Sequence, residues 1–181
     1  MTEYKTGDII AFEGISTFSL LIRLKTNCNI SHVGIVIMND DIPILCESTT
    51  LSNLADHETG KVVKGVQKHI LVDRVNTYDG KVFHCPLMVE IPNEKKMCDW
   101  LSTVHSKETK YDLGQAIFSG LFLKHFFESR PNFNKLFCSE LCYKAFQEGG
   151  IISSRFNASE QNPRNIVELP FLDAPRLLQD M

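Results

Sequence analysis

Cys138, in the run Phe137-Cys138-Ser139-Glu140-Leu141, is the residue with the clearest potential for covalent chemistry. The pattern from about Lys135 to Glu148 predicts a helix that stops at Gly149-Gly150, which puts Cys138 near its start. Backbone N–H groups of a first turn lack intrahelical acceptors, and the helix dipole there favours an anion. Both effects lower a thiol pKa, and the thiolate is the nucleophile. The competing reading is a buried structural cysteine, the ordinary fate of a free thiol. Cys142, one turn further on, reads as core.

A nucleophilic cysteine needs a base to take its proton and a polar group to orient that base. His32 is the candidate base, because it opens an otherwise apolar segment, Ser31 to Met38, where an imidazole needs a partner or a task. A satisfied core histidine is the alternative. Glu47, at the end of the neighbouring segment Pro43 to Ser48, is placed to orient an imidazole one strand away. As an alternative it is a solvated strand-end carboxylate. His57, His69, His84, His105 and His125 have polar surroundings and read as surface. No G-x-S-x-G elbow, phosphate-binding G-x-x-x-x-G-K-[ST] loop or H-E-x-x-H helix is present. Cys138 and Cys142 lack a second ligand pair, so zinc is not expected, nor is any other cofactor.

The elements that must position these residues differ between the two halves. Asp8 to Phe12, Ser31 to Met38, Pro43 to Ser48, a weaker stretch within Lys61 to Ile70 around Gly65-Val66, and Lys81 to Met88 read as short strands. The turn Asn39-Asp40-Asp41 marks a hairpin between the second and third of them. In the second half, Met97, Trp100, Leu101 and Val104 recur at helical spacing behind the cap candidate Asn93. Leu113 to Phe127 is a second helix candidate, and the tail from Ser153 reads as irregular but packed. The fold class expected is therefore α+β, in one domain spanning residues 1–181.

Composition narrows the functional classes. The chain has 181 residues with 19 Lys and Arg against 22 Asp and Glu, a formal net charge of −3. Nucleic acid is not expected as a partner, because phosphate recognition needs a clustered basic surface. The six cysteines could suggest disulfides, but an apolar chain of this size needs no such staples and no secretory leader is evident. Reduced thiols and an intracellular or virion-associated setting are expected. The longest apolar stretch, Ala116 to Phe127, is shorter than the roughly 20 residues of a spanning helix.

Taken in order, Gly7-Asp8-Ile9-Ile10, Ser31-His32-Val33-Gly34-Ile35-Val36, Glu47-Ser48, Gly65-Val66-Gln67, Lys110-Tyr111-Asp112 and Phe137-Cys138-Ser139-Glu140-Leu141 form a recognisable set. The set resembles the circularly permuted branch of the NlpC-type papain-like hydrolases, the YiiX-like group that includes a poxvirus member. In that branch the histidine strand precedes the cysteine helix. The resemblance covers about residues 7–172 and includes an Asn162-Pro163 segment. It implies a small antiparallel sheet or barrel packed against the cysteine helix. It also implies Cys138 as nucleophile, His32 as base, Glu47 as the orienting group and Tyr111 near the oxyanion.

The function expected is thus a thiol-dependent hydrolase, an amidase or peptidase or a lipid acyl hydrolase, working through a thioester acyl-enzyme. Its substrate would be a small peptide-like or lipid-like molecule. The apolar run from Ile117 to Phe127 would suit an acyl-binding wall, a peripheral membrane contact or plain core packing. The alternative is a catalytically silent binding or host-interaction protein on the same fold. A redox or metal role for the cysteines ranks third.

Overall fold

The computed structural model describes residues 3–108 and 137–179. The first element, β1 (Ile9–Gly14), is the buried run IIAFEG, and it lies inside a six-stranded antiparallel sheet. A helix, α1 (Thr17–Thr26), follows, and then the hairpin of β2 (His32–Asn39) and β3 (Ile42–Thr49). The hairpin loop is two residues long, and Asp40 takes the left-handed conformation, φ 52°, that such a tight turn demands. Next come β4 (Gly65–Ile70), the short helix α2 (Leu71–Asn76) and β5 (Gly80–Cys85). The helices α3 (Glu94–Glu108), α4 (Cys138–Glu148) and α5 (Pro163–Val167) precede the edge strand β6 (Arg176–Gln179).

The strand order β4-β3-β2-β1-β5-β6 makes an open sheet, not a barrel. Strand side chains alternate between faces. One face presents Ile9, Ala11, Val33, Ile35, Cys46 and Cys85 to Met97 and Leu101 of α3 and to Leu141, Cys142, Ala145 and Phe146 of α4. The other face gathers Ile10, Phe12, Val36, Leu45 and Val82 around Leu71 of α2. Burial on both faces explains why β1 and β2 read as continuous apolar runs.

The strands and α3 fall close to where the sequence pattern puts them, and α4 ends at Gly149 as expected. Three elements differ from expectation. α1 occupies a region read as strands and connection. It is set by Ser16, which caps it by accepting from the Ser19 amide, and by Asn27, which ends it in the left-handed conformation at φ 49°. Its leucines give no clean inward stripe, since Leu21 is 60% and Leu24 80% exposed. α2 is too short for a periodic signal. The tail holds α5 and β6 in place of irregular chain, and β6 pairs with β5 across a register shift between Val82 and Phe83. The helix expected at Leu113 to Phe127, and Tyr111 beside it, lie outside the described residues.

Candidate functional site

The register of the sheet fixes what His32 can reach. Phe12 of β1 lies directly opposite His32, and Gly34 lies opposite Glu47 of β3. Phe12, His32, Gly34 and Glu47 therefore share a face, with His32 and Glu47 on the diagonal of the β2–β3 pair. Gly34 leaves that diagonal open. A Cβ there would lie 2.8 Å from Leu45 Cδ1 and 3.1 Å from the Glu47 Cβ. With the space free, His32 Nε2 comes within 2.6 Å of Glu47 Oε2. The Glu47 side chain is fully buried and that of His32 is 16% exposed.

A buried carboxylate with a single histidine partner would be poorly compensated. The second partner is Arg74 of α2, whose Nε donates to Glu47 Oε1 at 2.5 Å and whose Nη2 donates to Oε2 at 3.3 Å. The guanidinium carbon lies 5.0 Å from the ring centroid of Phe12 and equally 5.0 Å from that of Tyr78. Two aromatic rings thus hold the fork in place. Arg74 was not singled out in the sequence. The available signal was that Glu47, if buried, requires a countercharge, but nothing distinguished Arg74 among 19 basic residues.

Cys138 reaches this row from the helical layer. Phe137 is the N-cap of α4, and its carbonyl accepts from the Leu141 amide at 2.8 Å. The Cys138 sulfur is hydrogen-bonded to His32 and accepts from the backbone amides of Val33 and Ser139. Because Nε2 of His32 is engaged with Glu47, Nδ1 is the ring nitrogen left for the sulfur. The chain around Asn162 meets α4 at this point. Ser139 Oγ donates to the Gln161 carbonyl at 2.8 Å, and Asn162 caps α5 in a reciprocal box with Asn165.

Burial alone would raise the Cys138 thiol pKa. The charge and hydrogen bond of His32, with the two amides, outweigh burial and hold the thiol below its ordinary value. Burial opposes charge on His32 as well, yet the adjoining sulfur and Glu47 raise its pKa to about 9. Glu47 is subject to the same burial, but Arg74 and His32 keep it well below the usual carboxylate range. The state these shifts favour is a thiolate–imidazolium pair backed by an ionised carboxylate. Burial pushes Cys46 and Cys85 up to about 12 and holds Cys142 well above an ordinary thiol. All six cysteines are free thiols.

Three histidines expected on the surface are buried, and a carboxylate distant in sequence explains two of them directly. His84 Nε2 lies 2.7 Å from Asp8 Oδ2, whose other oxygen accepts from the Leu87 amide at 2.8 Å. His105 Nε2 lies 2.8 Å from Asp56 Oδ2. His69 lies 2.9 Å from Gln67 Oε1 and 3.7 Å from Glu47. His57 is exposed as expected, and His125 lies outside the described residues. Asp56 also accepts from the amides of Glu58, Thr59 and Lys68, which ties the polar loop before β4 to β4 and α3. Among the described residues, no cluster of three or more His, Cys, Asp and Glu side chains is arranged to hold a metal ion. Among the same residues no helix is long and apolar enough to cross a membrane.

No protein-family model and no curated protein sequence matches the chain. Its fold does have a counterpart among solved structures. The crystal structure of metalloprotein yiiX from Escherichia coli O157:H7, of the DUF1105 group, superposes with a TM-score of 0.62. The match is 15% identical and covers 99% of each chain. The chain therefore has a YiiX-like α+β fold. Identity this low carries the architecture and not the chemistry.

Proposed function

We propose that this protein is a thiol-dependent hydrolase of the permuted papain-like type, acting through Cys138, His32 and Glu47. The observation that supports this most directly is the hydrogen-bonded row of the three residues, in which Cys138 is held below an ordinary thiol while Cys142, one turn away, is driven above it. The Cys138 thiolate attacks the acyl carbon of an amide or ester. Backbone N–H groups at the start of α4 face the developing oxyanion. His32 gives its proton to the leaving amine or alkoxide, which departs and leaves a thioester on Cys138. His32 then takes a proton from water as that water attacks the thioester, releasing the acid and restoring the thiolate–imidazolium pair. Glu47 keeps the ring oriented throughout.

YiiX is described as a metalloprotein. In this chain both oxygens of Glu47 are already taken by His32 and Arg74, and a fixed cation sits against the carboxylate. The donor set does not suit a metal, so no step is assigned to one.

The test is labelling of the purified chain with acyl-amide and lipid-ester activity probes, followed by mapping of the modified residue. Label on Cys138, lost in folded Cys138→Ala and His32→Ala variants, is the expected result. Turnover of the probes by a folded Cys138→Ala variant at the wild-type rate would overturn the proposal.

A further inference from the structure

We infer that Arg74 is a positioning residue of the Cys138 site: its guanidinium neutralises Glu47, so that the positive charge on His32 is left to serve the Cys138 sulfur. This rests on the hydrolase reading above and assigns a further member to its machinery.

The geometry carries the inference. Arg74 contacts both oxygens of Glu47, its guanidinium lies against the adjacent rings of Phe12 and Tyr78, and it is almost entirely buried. It makes no contact with the sulfur, so it acts through Glu47. The row Cys138, His32, Glu47, Arg74 alternates in sign and sums to zero, the arrangement a low-dielectric interior tolerates best. Arginine is the one side chain that cannot relieve such a row by losing its proton.

Removing the guanidinium leaves two anions and one cation in the same volume. The least costly relief is uptake of one proton. Of the two anions the thiolate is the stronger base, with an ordinary thiol pKa of about 8.5 against about 4.3 for a glutamate. The proton goes to Cys138, and His32 turns its charge to Glu47. The other titratable groups around the row do not supply a replacement charge. His69 on β4 is held below its ordinary value by burial. Tyr78 after α2, Cys46 on β3 and Cys142 on α4 are all pushed up and stay protonated.

The experiment measures the alkylation rate of Cys138 by iodoacetamide in the full-length chain, with peptide mapping, from about pH 5 to pH 9, in wild type, Arg74→Met and Arg74→Lys. At about pH 5.5 the Arg74→Met variant should react at least about tenfold more slowly than wild type, because a larger share of its sulfur is protonated there. Arg74→Lys, which keeps a charge at this pH but loses the fork, should react faster than Arg74→Met and more slowly than wild type. A folded Arg74→Met variant with the wild-type profile, or Arg74→Lys slowed as far as Arg74→Met, would overturn the inference. Should Arg74→Met fail to fold, Arg74→Gln, which keeps a hydrogen-bond donor for Glu47 but no charge, carries the test: it should react at least about fivefold more slowly than wild type at about pH 5.5, and a wild-type profile in it would contradict the role. An ordinary thiol profile in wild type itself would instead sink the hydrolase reading, so the two failures are distinguishable.

Discussion

Glu47 is where the chemistry and the stability of this protein meet, because it is the buried anion shared by His32 and Arg74. Its folded-state pKa is depressed. It therefore contributes stability above its unfolded value of about 4.3, and that contribution is lost as pH falls below it. Glu47→Gln should cost about 3–5 kcal/mol at neutral pH, because Arg74 is left as a buried uncompensated charge. The gap to wild type should narrow below about pH 4, as Glu47 takes up a proton in the unfolded chain while the folded protein still holds it ionised. Urea denaturation across this pH range checks both statements. The cysteine, histidine and carboxylate could be read in the sequence because nucleophilic catalysis demands those types together. Arg74 could not, because its role follows from burial of Glu47 and from a helix too short to leave a pattern.

The strand pair β2–β3 brings His32 to Glu47 only because position 34 carries no side chain. Gly34→Ala should drive a methyl group against Leu45 and Glu47, at a cost of about 1–3 kcal/mol. It should also loosen the His32–Glu47 bond. The expected readouts are a lower urea midpoint and a His32 imidazole titration, followed by NMR, moved down from about 9. An unchanged titration would mean that the glycine serves packing alone. The hairpin, the α3 stripe and the stop at Gly149-Gly150 were legible because each has a local cause: turn chemistry, 3.6-residue periodicity, a terminating glycine. α1 was not, because its exposed leucines blur the apolar stripe that marks a docked helix.

Across the fold, residues far apart in the chain are joined by buried acid–histidine pairs. Asp8 holds His84, 76 positions away, and the Leu87 amide, which ties the start of β1 to the end of β5. Asp8→Ala leaves both donors buried without an acceptor and should lower stability by about 2–4 kcal/mol, measured by thermal or urea unfolding. Single-sequence reading placed those histidines on the surface because neither member of a pair signals its distant partner. The architecture is shared with YiiX at 15% identity. In this chain the surroundings of Cys138 come from several elements at once, among them the first turn of α4, the start of β2 and the end of β3. The pH dependence of alkylation at all six cysteines tests the charge state of Cys138 most directly. Between about pH 7.5 and pH 5.5 ordinary thiols lose about tenfold in rate for each step of one in pH. Cys138 should lose far less than the partly exposed Cys98, and a Cys138 that falls in parallel with it would contradict the thiolate–imidazolium pair.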